Sequence, residues 1–217
     1  MNSLILLPNN FLHQQIRGFY HTDYFGYRKP NNPDFLNFLK NDDGCCPAEL
    51  LEFAVNQLIK ILIDDLPQIL KQLGYSSLTV CTVPRARAEN TYRPNQLLFK
   101  STVQNVIKKL KGFEDGTNYI VRHTTTRTTH LRKLQVGFIN DGPEPYPGIT
   151  LNTCHISENI VGKNILLIDD IYTHTVNVDE DAIQALLTKR AQKVFFYAVG
   201  RTVSPVERQR IINSARL

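Results

Sequence analysis

The sequence predicts an α/β protein, a mainly parallel sheet flanked by helices with an N-terminal cap, and three observations carry that prediction. In the last third, the apolar run GKNILLIDD (162–170), the helix-periodic VNVDEDAIQALLTKR (176–190) and a second apolar run, KVFFYAVG (193–200), follow in order. Continuous apolar strands on either side of an amphipathic helix form a βαβ unit, whose parallel strands are covered on both faces. Upstream, PAELLEFAVNQLIKILIDDLPQILKQLG places apolar residues at 50, 51, 54, 55, 58, 61 and 62, the wide stripe of a helix packed on a core. It runs into SLTVCTVP, a short β-rich segment.

In chain order, residues 1–46 are rich in aromatics, prolines and asparagines without a clear period and read as an irregular cap; 47–217 form the α/β domain. Pro67 is expected to divide the long helical segment in two, because proline removes a backbone donor and biases its predecessor out of helix. Gly74 ends it. An arginine-containing loop follows SLTVCTVP, and NQLLFKSTVQNVIKKL reads as a helix. NYIVRH reads as a strand, TTTRTTHLRK as a polar basic loop, LQVGFI as a further strand and the Gly/Pro-rich NDGPEPYPGI as a turn. A terminal helix is expected in SPVERQRIINSARL, with Ser204 as cap, Pro205 at the first helical position and Glu207 at the third.

A chain of 217 residues, 42% hydrophobic and 21% charged, suits one core with decoration. No stretch approaches the ~18 to 20 consecutive apolar residues of a membrane span. MNSLILLPNNF has neither the basic flank nor the cleavage site of a secretory signal, so a cytoplasmic protein is expected. Cys45, Cys46, Cys81 and Cys154 form no CxxC pair and read as reduced and structural. A net charge of +5 admits an anionic partner and leaves nucleic acid open as one. The basic residues cluster at Arg85, Arg87 and Arg93 and again at Arg122, Arg127, Arg132 and Lys133. His13, His21, His123, His130 and His155 show no metal-ligand spacing.

In an open parallel sheet, ligands bind beyond the carboxyl ends of the strands, and Asp169 and Asp170 stand at that edge. Two adjacent acids there can accept hydrogen bonds from a vicinal diol, or help hold a Mg²⁺ carried by a polyphosphate. Otherwise they are a capping pair after a core strand. The free N–H groups of the helix that follows suit a phosphate. Diol and phosphate at that separation point to a ribose 5-phosphate.

The segment GKNILLIDDIYTHTVNVDEDAIQALLTKRAQKVFFYAVGRT resembles the phosphoribosyl-diphosphate (PRPP) binding segment of type I phosphoribosyltransferases, nearest the ComF and amidophosphoribosyltransferase-like branch. TVPRARAENTYRPNQ resembles that family's pyrophosphate loop, and VRHTTTRTTHLRK its basic closing loop. The resemblance spans roughly 78–201 and implies the type I phosphoribosyltransferase fold, with 1–46 as the variable hood that sets the acceptor. It implies that Asp169 and Asp170 contact the ribose hydroxyls and, directly or through water, Mg²⁺. Thr173, His174, Thr175, Val176 and Asn177 would wrap the 5-phosphate. Arg85, Ala86, Arg87 and Arg127 would serve the pyrophosphate and its departure. Homodimerisation is implied by the family alone. The altered acidic segment is also similar to phosphoribosyltransferase-domain toxins of anti-phage toxin–antitoxin modules of the ShosTA type, which act with a DprA-like antitoxin protein.

Thr173–Asn177 depart from the family's Thr-Thr-Gly-Ala-Thr, with Thr175 where glycine is usual. Glycine accepts φ > 0 near a phosphate and a β-branched residue resists it. His174 either donates to the phosphate in compensation or faces solvent, and Asp179, Glu180 and Asp181 read as first-turn acids favouring the helix dipole. Two functions remain open: an enzyme displacing or hydrolysing pyrophosphate at ribose C1, or a non-catalytic module sensing PRPP or a nucleotide, or binding nucleic acid.

Overall fold

The computed structural model describes residues 1–42, 44–126, 148–204 and 206–208. Strands β1 (Asn2–Leu6) and β2 (Ile16–Tyr24) come first, then helices α1 (Phe35–Lys40) and α2 (Ala48–Leu73) and strand β3 (Leu78–Thr82). Helix α3 (Leu98–Ile107) precedes β4 (Phe113–Asp115), β5 (Ile120–Arg122) and β6 (Cys154–Ile156). Strand β7 (Asn164–Tyr172), helix α4 (Val178–Thr188) and strand β8 (Lys193–Thr202) complete the order. The six-stranded sheet runs β1-β2-β8-β7-β3-β4, and β5 and β6 form a separate antiparallel pair. Every neighbouring pair in the large sheet is parallel except β1 with β2. The architecture is α/β, as expected, with the parallel strands flanked by helices.

Strand β7 shows why its sequence is continuously apolar. Ile165 and Leu167 pack on one face with Ala182, Ile183 and Leu186 of α4. Leu166 and Ile168 pack on the other with Leu58, Leu62, Leu66 and Ile69 of α2 and Val103 and Val106 of α3. A strand covered on both faces needs an apolar residue at every position.

Two expectations are corrected. Pro67 does not divide the helix: α2 is continuous from Ala48 to Leu73 with Pro67 inside it. Pro67 itself is exposed, whereas Leu62, Leu66 and Ile69 around it are fully buried. Burying one such side chain is worth about 1.5–3 kcal/mol, so three of them outweigh the ~3 kcal/mol cost of an interior proline. Nor are residues 1–46 an irregular cap, since they supply β1, β2 and α1. Strand β2 lies between β1 and β8, so Ile16, Gly18 and Phe19 are all buried and the period-2 alternation of a one-sided strand is lost. At Gly18 an added Cβ would lie 3.0 Å from Leu6 Cδ1 and 3.4 Å from the Phe196 carbonyl, so glycine permits this close strand packing.

Helix α1 packs on the sheet face that carries α2. Its Leu36 and Leu39 are buried in the α2-side core. A Cβ on Gly200 would come within 2.9 Å of Leu36 Cδ1, so this glycine lets α1 settle onto the sheet near the acidic end of β7. At the other terminus, the backbone N–H of Glu207 donates to Ser204 Oγ (3.2 Å) and that of Ser204 to Glu207 Oε2 (2.9 Å). That reciprocal box is the expected helix start. Pro205, most of the basic loop (127–133), LQVGFI and most of NDGPEPYPGI lie outside the described residues. Among the described residues no helix is long and apolar enough to cross a membrane.

Candidate functional site

Strand β7 outruns its neighbour on one side. Its pairing with β3 ends at Thr82 with Ile168, while its pairing with β8 continues to Tyr172 with Arg201. Asp169 and Asp170 therefore stand where β3 has already turned away into the arginine loop. The strand runs two residues beyond the acids, longer than its sequence pattern implies.

One cavity opens at this step. Asp169, Asp170, Thr173 and Val176 line one side; Arg85, Ala86 and Arg87 line the other. The adjacent strands β7 and β3 thus bring together the acidic segment and the arginine loop. Arg127 lies outside the described residues. His174, Thr175 and Asn177 do not line the cavity. His174 and Thr175 are exposed, with His174 Nδ1 3.3 Å from the Tyr172 hydroxyl. Asn177 instead accepts a hydrogen bond from the Asn9 side-chain amide at 3.1 Å.

The residue in this turn that adopts φ > 0 is Asn177 (φ 61°), not Thr175. Asparagine tolerates the left-handed region far better than a β-branched residue, so the turn forms without a glycine at 175.

The basic side is held in place by neighbours. Arg85 pairs with Asp42, donates from Nη1 to the Gln96 carbonyl and stacks on Tyr92, with its guanidinium carbon 4.4 Å from the ring centre. The Arg87 backbone N–H donates to the Tyr92 hydroxyl at 3.1 Å, and the Ala86 carbonyl accepts from the Thr126 N–H at 2.8 Å. Buried Arg122 donates from Nε to the Arg85 carbonyl (2.7 Å) and from Nη1 to the Gly148 carbonyl (3.0 Å). Arg122 thereby ties the arginine loop to the chain at 148. Lys100, also on the cavity wall, is paired with Glu89 at 2.7 Å.

On the acidic side, Lys40 at the end of α1 lies 3.2 Å from Asp170 Oδ2. Burial works against the Lys40 charge, but Asp170 and then Asp169 more than offset it and hold its pKa above the ordinary lysine value. Burial, and then the charge of Asp170, pushes the Asp169 carboxyl up to about 7. Asp179, in the first turn of α4, is hydrogen-bonded to Asp169 and is raised well above the usual carboxylate range by burial and by Asp169. Two carboxyl groups can share such a bond only when one is protonated. Asp179 Oδ1 is buried without a hydrogen-bond partner, as is Glu180 Oε2, while Glu180 Oε1 accepts from the Tyr172 hydroxyl at 2.9 Å.

No protein-family model and no curated protein matches this chain. The site's chemistry therefore rests on its own geometry: a carboxylate wall suited to hydroxyl or cationic groups faces a guanidinium wall suited to phosphate oxygens. Sequence reasoning missed Lys40, Asp42, Tyr92 and Asp179. The first two sit in a segment without periodicity, and Asp179 is hidden among three acids in a helix's first turn, an ordinary place for them.

Buried Cys81 and Cys154 are core residues, and burial pushes the Cys81 thiol up to about 12. Cys45 is exposed and Cys46 half-buried, so of the four cysteines read as structural only Cys81 and Cys154 lie in the core.

Proposed function

We propose that the chain is a phosphoribosyltransferase-like enzyme that binds PRPP with Mg²⁺ and acts at C1 of its ribose. The observation that carries this reading is the meeting of Asp169 and Asp170 with Arg85 and Arg87 across one cavity, at the carboxyl ends of adjacent parallel strands. Carboxylates accept hydrogen bonds from the ribose 2- and 3-hydroxyls and fix the ring. Guanidinium groups take the diphosphate oxygens and neutralise charge as the C1–O bond breaks and the acceptor's bond to C1 forms. The oxocarbenium character that develops at C1 is stabilised by a carboxylate wall at Asp169 and Asp170.

Asp169 and Asp170 fit Mg²⁺ in the manner usual for phosphate substrates, where one or two carboxylates suffice and phosphates and water complete the shell. Bound there, Mg²⁺ would supply charge neutralisation to the diphosphate.

Titration calorimetry with PRPP and Mg²⁺, followed by a pyrophosphate-release assay, tests the reading. Saturable binding with release supports the enzyme, and no binding ends both PRPP readings. A second reading, a non-catalytic PRPP or nucleotide sensor, is favoured by His174, Thr175 and Asn177 lying off the cavity and by Asp179 and Glu180 being buried at the start of α4. Binding without release would select it.

A further inference from the structure

The two charged walls of the cavity are already joined by one short piece of chain. Lys40 closes α1, and the next residue, Asn41, takes the left-handed conformation (φ 40°, ψ 49°) and is buried. That turn sends the side chains on either side of it to different partners: Lys40 reaches Asp170 at 3.2 Å, and Asp42 pairs with Arg85. Asn41 is an apt residue for the turn, because asparagine accepts positive φ at little cost.

The backbone of the turn is clamped. Buried Gln96 donates from Nε2 to the carbonyls of both Asn41 (3.1 Å) and Asp42 (3.0 Å). Asn41 Nδ2 donates to the Asn95 carbonyl (3.2 Å), and Asn41 Oδ1 accepts from the Cys46 N–H (2.9 Å). The charged side chains are less confined: that of Asp42 is 39% exposed and that of Arg85 25%. Asp42 and Arg85 have solvent to separate into while the main chain stays; the Lys40–Asp170 pair, at 16% and 17% exposed, is the more confined half.

We propose that the Lys40–Asp42 turn is an internal stand-in for the ligand, with the Lys40 ammonium occupying the cation position on Asp170 and the Asp42 carboxylate the phosphate position on Arg85. This rests on the reading of Arg85 and Asp170 as ligand-binding groups, and adds selectivity to it. Free anions must compete with Asp42, and free cations with Lys40. A magnesium-bound diphosphate brings both charges in one molecule and replaces both pairs together. The turn therefore screens out simple ions and admits the paired species, which is discrimination by competing charge.

The test uses the full chain and inorganic pyrophosphate as probe, by calorimetry with and without Mg²⁺, on the native protein and Asp42→Ala. Removal of the competing carboxylate is expected to tighten metal-free pyrophosphate binding about two- to fivefold, an amount typical of a partly exposed ion pair. Lys40→Met is expected to tighten binding of Mg²⁺ alone by a similar factor. Asp42→Asn, which keeps the shape, is the second variant should the alanine protein fail to fold, and thermal melting establishes that each is folded. Unchanged pyrophosphate affinity in a folded Asp42 variant, beside measurable binding by the native protein, overturns the stand-in and leaves the PRPP reading intact. No pyrophosphate binding by any variant overturns both.

Discussion

Asp179 is the residue whose environment most exceeds what its position implies. A first-turn aspartate normally gains from the helix dipole in water, but here it is buried and hydrogen-bonded to Asp169, which raises its carboxyl well above the usual range. Asp169 titrates near 3.8 when unfolded and at about 7 when folded, so between those values the native state holds more protons and stability falls as pH rises. Asp179 is raised as well, so Asp179→Asn removes that titration while its amide still donates to Asp169. We expect the loss of stability between pH 4 and 7 to flatten, with a gain of about 1 kcal/mol at pH 8. Denaturant unfolding at pH 5 and 8 measures it, and an unaltered pH slope would mean that the Asp179 carboxyl is not itself raised in the folded protein. Asp169 and Asp170 were legible in the sequence because a strand followed by acids is a local pattern. Their partners Lys40 and Asp179 were not, because which charges meet depends on where α1 and α4 settle.

At the scale of elements, α2 shows propensity giving way to burial. Pro67 costs the helix a hydrogen bond on its solvent side, and Pro67→Ala should stabilise the protein by about 1–3 kcal/mol in urea unfolding. A loss of stability would show instead that proline's restraint of the unfolded chain dominates. The same helix is pinned at one polar point. Buried Asp65 accepts from the Tyr197 hydroxyl at 2.8 Å and pairs with His21 Nδ1 at 2.9 Å. Burial opposes its ionisation, but the hydrogen bonds from His21 and Tyr197 outweigh it and hold its pKa below the usual value. Asp65→Ala strands the Tyr197 hydroxyl and should cost about 2–3 kcal/mol at pH 7. The wild-type contribution itself disappears only as pH drops below the ordinary aspartate range, because a depressed carboxyl is lost from below. Urea titrations of wild type and Asp65→Ala at pH 7 and 3 would show the difference shrinking on acidification. Strands β3, β7 and β8 and helices α3 and α4 were legible as apolar runs and amphipathic stripes. Strand β2 was not, since Ile16–Tyr24 is buried at first on both faces and then only half-buried.

For the whole molecule, the N-terminal segment is part of the sheet and part of the site. Phe19, Leu6, Leu12 and Ile16 are fully or almost fully buried, and β2 covers the long edge of β8. A chain reduced to 47–217 should therefore aggregate or lose near-UV dichroism, whereas a dispensable hood would leave it folded. The sequence reading placed this segment outside the core because sheet membership is decided by pairing with β8, far along the chain. Helix α1 of this segment contributes Lys40 to the cavity wall. The central claim, that one cavity holds a ribose on Asp169 and Asp170 and a diphosphate on the Arg85–Arg87 loop, is tested most directly by titration calorimetry of PRPP with Mg²⁺ on the native protein and on Asp169→Asn/Asp170→Asn. Saturable binding that the double variant loses by at least about a hundredfold, with its melting temperature preserved, is the predicted result; equal affinity in the two proteins would contradict it.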